Sequence, residues 1–276
     1  MNVSSTIAWR EYALAGTRAP GSIGLRVAER VRSADLRNTR DLYVALPPGY
    51  AESEARYPVV YMHDGQNLFD PATSYAGDWG LPETLAALAA QGIETIVVGI
   101  ANQGRRRRYE YSPFRDILHG GGGGDHYLAF LVETVKPLVD GSFRTLPARP
   151  HTVIAGSSLG ASISLYGLYR YPDVFGAAGV QSPALWFADR KLLRFVEERR
   201  ALPVGRIHLD IGLQEGERTV ADVRALRDLL LAAGKVPGRD LSYVEEAGAG
   251  HDERAWGRRF RAALPFLLSA DGGEGA

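Results

Sequence analysis

Residues 156–160 read Gly156-Ser157-Ser158-Leu159-Gly160, a G-x-S-x-G pentapeptide with Ser158 at its centre. A serine hydroxyl is a weak nucleophile, so it does chemistry only where the backbone exposes it and a base removes its proton. Ahead of the pentapeptide, residues 152–155 form a short apolar run rich in β-branched side chains, which reads as a buried strand. Behind it, residues 161–171 follow a helical apolar pattern. Strand, tight glycine-flanked turn and helix make a nucleophile elbow. Such a turn is strained, and the residues two places either side must be small so that strand and helix pack closely. Ser158 then projects its Oγ outward, and the N-terminus of the helix faces any oxyanion that develops. Without those flanks the pentapeptide would be an ordinary strand-to-helix turn.

The serine needs a base, and the base needs an orienting acid. The histidines are His63, His119, His126, His151, His208 and His251. His151 lies at the wrong end of the elbow strand, His208 falls inside a strand, and His119 and His126 flank a glycine run expected to be mobile. His63 follows the third strand, where it braces the elbow or lines the site. His251 follows Gly248-Ala249-Gly250 and precedes a helix, a loop position with the reach that a general base requires. For the acid, chain order in such a fold is serine, acid, histidine. Asp210, Glu215 and Glu217 lie between residues 158 and 251 near a strand's carboxyl end. Asp210 is within its strand, Glu215 is best placed, and Glu217 is its nearest rival.

The elements that must carry these residues alternate regularly. Residues 23–31 and 41–46 read as an antiparallel pair opening the chain. Strands follow at 57–62, 94–100, 152–155, 174–181, 206–211 and 241–246. Helices are expected at 79–90, from Asp125 to about 139, and at 161–171, 189–199, 219–233 and 252–268. This predicts an α/β fold, a mostly parallel central sheet with an antiparallel N-terminal pair and helices on both faces. Residues 1–21 are expected along the sheet edge and 269–276 as a frayed tail, with the whole chain, 1–276, one domain. Ligands of such sheets bind off the carboxyl ends of the strands. His63-Asp64-Gly65, Arg105 to Arg108, Ser158, Glu215 and His251 all follow strands at that end.

Composition narrows the classes of partner. Lys+Arg and Asp+Glu are 32 each, so the net charge is zero and nothing calls for nucleic acid or an anionic membrane. With no cysteine there is no disulfide framework, thiolate nucleophile or cysteine-based zinc site. Residues 1–21 lack the apolar stretch of a signal peptide, and no run of 18 apolar residues occurs, so a cytoplasmic protein is expected.

The chain also resembles a known family, the "putative esterase" family of α/β-hydrolases. That family takes in enterochelin esterases, feruloyl esterases, S-formylglutathione hydrolase and the mycolyltransferases. The resemblance runs from about residue 33 to 266. It rests on Leu46-Pro47-Pro48-Gly49-Tyr50, the segment His63-Asp64-Gly65-Gln66-Asn67-Leu68-Phe69, the elbow, Tyr171-Pro172-Asp173-Val174-Phe175-Gly176, Ser182-Pro183-Ala184-Leu185-Trp186, Gly212-Leu213-Gln214-Glu215 and Gly248-Ala249-Gly250-His251. By matching position the resemblance implies Ser158 as nucleophile, Glu215 as acid and His251 as base. It also implies an oxyanion hole from the backbone N–H groups of Leu159 and Gln66. Ala161 departs from the pattern, since many members carry a second glycine there; alanine is a good helix former and leaves the turn intact.

These readings converge on a serine carboxylic-ester hydrolase with no cofactor and no metal, acting on a small-molecule ester. An acyltransferase with the same triad and an alcohol acceptor is the rival. The pairs His63-Asp64 and His251-Asp252 suggest a metal phosphohydrolase, but they sit in loops without further ligands. The glycine run, residues 120–124, lacks the Lys-Ser/Thr of a phosphate loop. For substrate binding, Arg107 and Arg108 are the candidates among the four arginines, with Trp79 and Trp186 as an apolar wall. Guanidinium and aromatic groups beside the serine would favour aromatic or anionic esters over long neutral acyl chains.

Overall fold

The computed structural model describes residues 7–14, 23–199 and 205–269. Its strands are β1 (Arg10–Glu11), β2 (Gly24–Ser33), β3 (Asn38–Leu46), β4 (Val59–His63), β5 (Ile96–Ile100), β6 (Arg115–Asp116), β7 (Gly120–Gly121), β8 (Thr152–Ser157), β9 (Ala177–Gln181), β10 (Arg206–Gly212) and β11 (Leu241–Glu246). Nine of them form one sheet in the order β1-β2-β3-β5-β4-β8-β9-β10-β11. From β5 to β11 every neighbouring pair is parallel, while β1, β2, β3 and β5 pair antiparallel in turn. This is the mostly parallel sheet with an antiparallel N-terminal group that the sequence predicts. Of the edge segment expected at residues 1–21, Arg10–Glu11 does pair along β2; residues 1–6 and 15–22 lie outside the described residues, as do 270–276 of the expected tail.

Apolar runs become central strands because both faces of the sheet are covered. Along β4, Val59 and Tyr61 face one core while Val60 and Met62 face the other. The second core is closed by α1 (Leu81–Ala89), through Leu81, Leu85 and Leu88, and by α8 (Glu253–Leu268), through Trp256, Phe260, Leu264 and Leu267. The first is closed by five helices: α3 (Gly124–Phe130), α4 (Lys136–Ser142), α5 (Leu159–Arg170), α6 (Phe187–Glu198) and α7 (Glu217–Ala232). A short helix, α2 (Arg107–Glu110), sits after β5.

The glycine run departs from expectation. Instead of a mobile stretch it is packed: β7 pairs with β6, and a Cβ at Gly121 would lie 2.5 Å from the Phe114 carbonyl oxygen. A Cβ at Gly124 would lie 2.7 Å from the Pro113 nitrogen. These residues are glycine because backbone approaches them closely. The helix that follows therefore starts at Gly124, one residue before Asp125, which does not cap it.

Candidate active site

Ser158 is the link between β8 and α5, and its backbone sits at φ 58°, ψ −123°. That conformation is costly for a residue with a Cβ, on the order of 1–3 kcal/mol, and persists only where neighbours enforce it. Here the Ser158 N–H donates to the Gln181 carbonyl at 3.0 Å, and the Ser158 carbonyl accepts from Ser162 and Ala184, each at 3.1 Å. The flanking glycines are required by contact. A Cβ at Gly156 would lie 2.9 Å from the His63 ring, and one at Gly160 would lie 3.3 Å from the His63 Cβ.

His63 thus lies under the elbow rather than beside the reacting group. It is buried, its Nδ1 is 2.7 Å from the Tyr127 hydroxyl, and its Nε2 has no hydrogen-bond partner among the described residues. Burial pulls its pKa down from 6.5 to about 3, so the ring is neutral. The Asp64 N–H donates to the Tyr111 hydroxyl at 3.1 Å, and the Tyr111 ring packs on that of Tyr127 with centroids 5.0 Å apart.

The loop after β4 carries Gln66. Asp64 adopts φ 57°, and Gly65 presses on β5 so closely that a Cβ would lie 2.5 Å from the Gly99 carbonyl carbon. Arg107 holds the Asp64 carboxylate with two bonds of 2.7 Å, from Nε to Oδ1 and from Nη2 to Oδ2, and Asn102 Nδ2 donates to Oδ1 at 2.6 Å. Burial alone would raise the Asp64 carboxyl, but the guanidinium and Asn102 outweigh it and hold it below the usual range. The Asn102 N–H donates to Gln66 Oε1 at 3.1 Å, so the Gln66 side chain is tied to the same cluster. Behind Arg107, α2 is anchored by Glu110, whose buried carboxylate pairs with the buried Arg40 at 3.0 Å. Leu159 opens α5, where the first N–H groups of a helix have no intrahelical partner.

Glu215 and His251 meet beyond the ends of β10 and β11. His251 Nδ1 lies 2.5 Å from Glu215 Oε2. The Glu215 side chain is 1% exposed and that of His251 is 44% exposed, so the carboxylate is enclosed while the ring opens outward. Glu215 Oε1 accepts from the Gly212 N–H at 2.9 Å and from the Ser182 hydroxyl at 2.6 Å. The rival Glu217 is exposed in the first turn of α7. Asp210 is buried between His208 and Arg259. The link to Ser158 is the sheet register: Ser157 pairs with Gln181, so Ser158 and Ser182 leave adjacent strands at the same level.

The proposed substrate residues divide. Trp186 is 46% exposed and its ring meets that of His119 on the β6–β7 hairpin. Arg108 is exposed on α2. Arg107 is turned inward on Asp64 and ties down the loop after β4. Trp79 is 5% exposed and packs between Trp256 and Phe260, so it offers no wall to a substrate. It acts one layer deeper, since Trp256 meets the His251 ring edge-on at 4.8 Å. Sequence reading missed Ser182, Trp256, Arg259 and Glu253. The three helical residues occupy the inward face of α8, and a tryptophan and an arginine three apart on an apolar helix face were the signal available. Burial raises the Glu253 carboxyl, and Asp252 and Asp64 add to the effect.

Among the described residues no group of three or more His, Asp or Glu is placed to hold a metal ion, and no helix is long and apolar enough to cross a membrane. Residues 33–267 match the family model described as putative esterase. The chain belongs to the putative esterase family. It is by that membership a carboxylic ester hydrolase, with an α/β-hydrolase fold. The esterase is 27% identical over 241 residues to the uncharacterized protein YbbA of Bacillus subtilis, covering 80% of this chain and 90% of that one. It is 28% identical over 153 residues to the siderophore triacetylfusarinine C esterase of Aspergillus fumigatus, covering 52% of this chain and about half (51%) of that one. Among solved structures, the siderophore hydrolase EstA of Aspergillus nidulans superposes with a TM-score of 0.71 at 21% identity, over 93% of this chain and 98% of that one.

Proposed function

We propose that the esterase works through an acyl-serine intermediate on Ser158, with His251 as base and Glu215 as orienting acid. The observation that carries this is the enclosed Glu215 carboxylate on His251 Nδ1, which leaves Nε2 as the free lone pair. His251 Nε2 takes the Ser158 proton as Oγ bonds to the ester carbonyl carbon. The oxyanion is held by the Leu159 and Gln66 N–H groups, each worth about 3 kcal/mol of barrier. The tetrahedral adduct collapses, and the departing alkoxide takes the proton back from Nε2. Water, deprotonated by the same nitrogen, then attacks the acyl-serine; the second adduct releases the acid as Ser158 Oγ takes the proton back from Nε2.

The substrate we infer is a small ester with an aromatic group. Trp186 supports this: it is exposed two residues beyond Ala184, whose N–H bonds the Ser158 carbonyl. The name of the Aspergillus fumigatus relative makes a siderophore ester a candidate substrate class. With Arg107 occupied by Asp64, an anionic group is left to Arg108. The test is labelling with a fluorophosphonate probe followed by peptide mass spectrometry. The adduct is expected on Ser158, absent in Ser158→Ala together with all esterase activity. Labelling on Ser157, or an active Ser158→Ala enzyme, would refute the assignment.

A further inference from the structure

Ser182 and Arg259 form a buried relay behind the acid. The Ser182 hydroxyl accepts from Trp256 Nε1 at 3.1 Å and from Arg259 Nη2 at 2.9 Å, and lies 2.6 Å from Glu215 Oε1. Indole and guanidinium nitrogens only donate, and the hydroxyl has one proton, so that proton goes to Glu215. Arg259 spreads its fork over three partners: Nε to Asp210 Oδ1 at 2.9 Å, Nη1 to Glu246 Oε2 at 2.9 Å, and Nη2 to Ser182. The same Nη2 lies 3.7 Å from Glu215 Oε1, and the Arg259 side chain is 3% exposed.

The two oxygens of Glu215 are therefore unequal. Oε1 takes an N–H, a hydroxyl polarised by a guanidinium, and that guanidinium's own field, while Oε2 takes only His251 among the described residues. Donors on one oxygen draw charge from the other, and a hydroxyl that accepts from a cation donates more strongly. We propose that Ser182 and Arg259 are positioning residues that fix the Glu215 carboxylate and weaken its pull on His251, so that the ring stays neutral, and usable as a base, to lower pH. The other charged and titratable groups around the pair are Asp252 and Glu253 at the start of α8, Arg258 and Glu246, and Asp210 with His208 on β10. Most are acidic, so the imidazolium would be over-stabilised without a cation behind the acid. Arg259 is that cation. The inference rests on the His251–Glu215 assignment of the proposed function.

The experiment is an NMR titration of the His251 ring in a Ser158→Ala background, comparing Arg259→Met and Ser182→Ala with the parent. It reads His251 directly, so its outcome is independent of which ester is the substrate and of whether Ser158 is the nucleophile. Removing Arg259 is expected to raise the His251 midpoint by about one pH unit, the size of a unit charge removed a few ångströms beyond the carboxylate at an effective dielectric near 20. Ser182→Ala is expected to shift it the same way by less, because Arg259 remains. In enzyme with Ser158 intact, the acid limb of kcat/KM should move up by the same amount, with KM for a neutral ester within about twofold. If Arg259→Met does not fold, Ser182→Ala decides. A midpoint unmoved or lowered in the folded variants, with kcat reduced at all pH, would overturn the proposal and leave the relay as packing alone.

Discussion

Arg107 either binds a ligand or holds the loop of Gln66, the proposed oxyanion donor, and Arg107→Ala tests which. The substitution removes two charge-assisted bonds of 2.7 Å from a carboxylate that is 9% exposed. Breaking a buried pair from one side costs about 3–5 kcal/mol. Arg107 is itself 26% exposed and Asn102 still donates to Asp64, so water and the amide recover part of this. We expect a stability loss of about 2–3 kcal/mol by that reasoning. Catalysis should suffer through Gln66, whose side chain and backbone belong to the same cluster. Complete loss of one oxyanion donor costs about 10²–10³ in kcat, so a displaced loop should cost about 10- to 100-fold. The fall should be the same for a feruloyl ester and a neutral octanoyl ester, with KM little changed for either. Asp64→Asn should give the same pattern, and the double variant should be less than additive. The pairing holds the Asp64 pKa below its ordinary 3.8, so its contribution is complete above that value and fades as pH falls through the lower folded one. At neutral pH the whole effect is therefore present. Steady-state kinetics on the two esters and thermal melts measure it. A defect confined to KM for the aromatic or anionic ester, with kcat for octanoyl untouched, would refute this and return Arg107 to the substrate.

Glu215→Gln should lower kcat by about 10³-fold or more by favouring the wrong His251 tautomer, while Glu217→Gln stays within about twofold; steady-state rates on one aryl ester decide, and the reverse result reassigns the acid. His63, depressed to about 3, binds fewer protons folded than unfolded between that value and 6.5, so it makes stability rise with pH across that window and fade as pH drops through it. Urea melts from pH 4 to 6 should show a slope about 1.4 kcal/mol per pH unit shallower in His63→Asn than in wild type, and equal slopes would contradict a buried neutral ring. Gly124→Ala should lose about 1–3 kcal/mol against the Pro113 backbone, whereas Gly141→Ala, on α4 with nothing within 4 Å, should gain about 0.5–1 kcal/mol, both read from chemical denaturation.

How much of this was legible in the sequence depended on whether the deciding contact was local. Strands β4, β5 and β8 read clearly because burial on both faces leaves apolar or small residues along most of their length, and β10 because Ile207, Leu209 and Ile211 alternate with Arg206, His208 and Asp210. The elbow read clearly because its glycines stand within five residues of one another, although the contacts that enforce it come from His63 and Gln181. Glu215 and His251 read clearly because each follows a strand at the same end of the sheet. The Arg107–Asp64 pairing was not legible because the partner is 43 residues away and four adjacent arginines look alike without it. Trp79 failed similarly: it follows a loop, yet Gly257 leaves room for its backbone on α8, where a Cβ would lie 2.1 Å from the Trp79 carbonyl oxygen. The glycine run looked free because glycine carries no side chain to declare a contact, and its neighbours Phe114 and Pro113 supply the contact from their backbones.

The sheet order places the members of the proposed triad on strands of unequal security. Ser158 leaves β8, which is paired on both sides, whereas His251 follows β11, the edge of the sheet beyond β10. Edge elements open at lower free energy than central ones. Nucleophile and base thus report on different depths of the same fold: local opening of β11 would release the histidine while the strained serine stayed in place. In rising denaturant, turnover should then disappear before the far-ultraviolet signal of the sheet, and amides of β11 should exchange with solvent well ahead of those in β8. An esterase built this way is switched off from its margin inward.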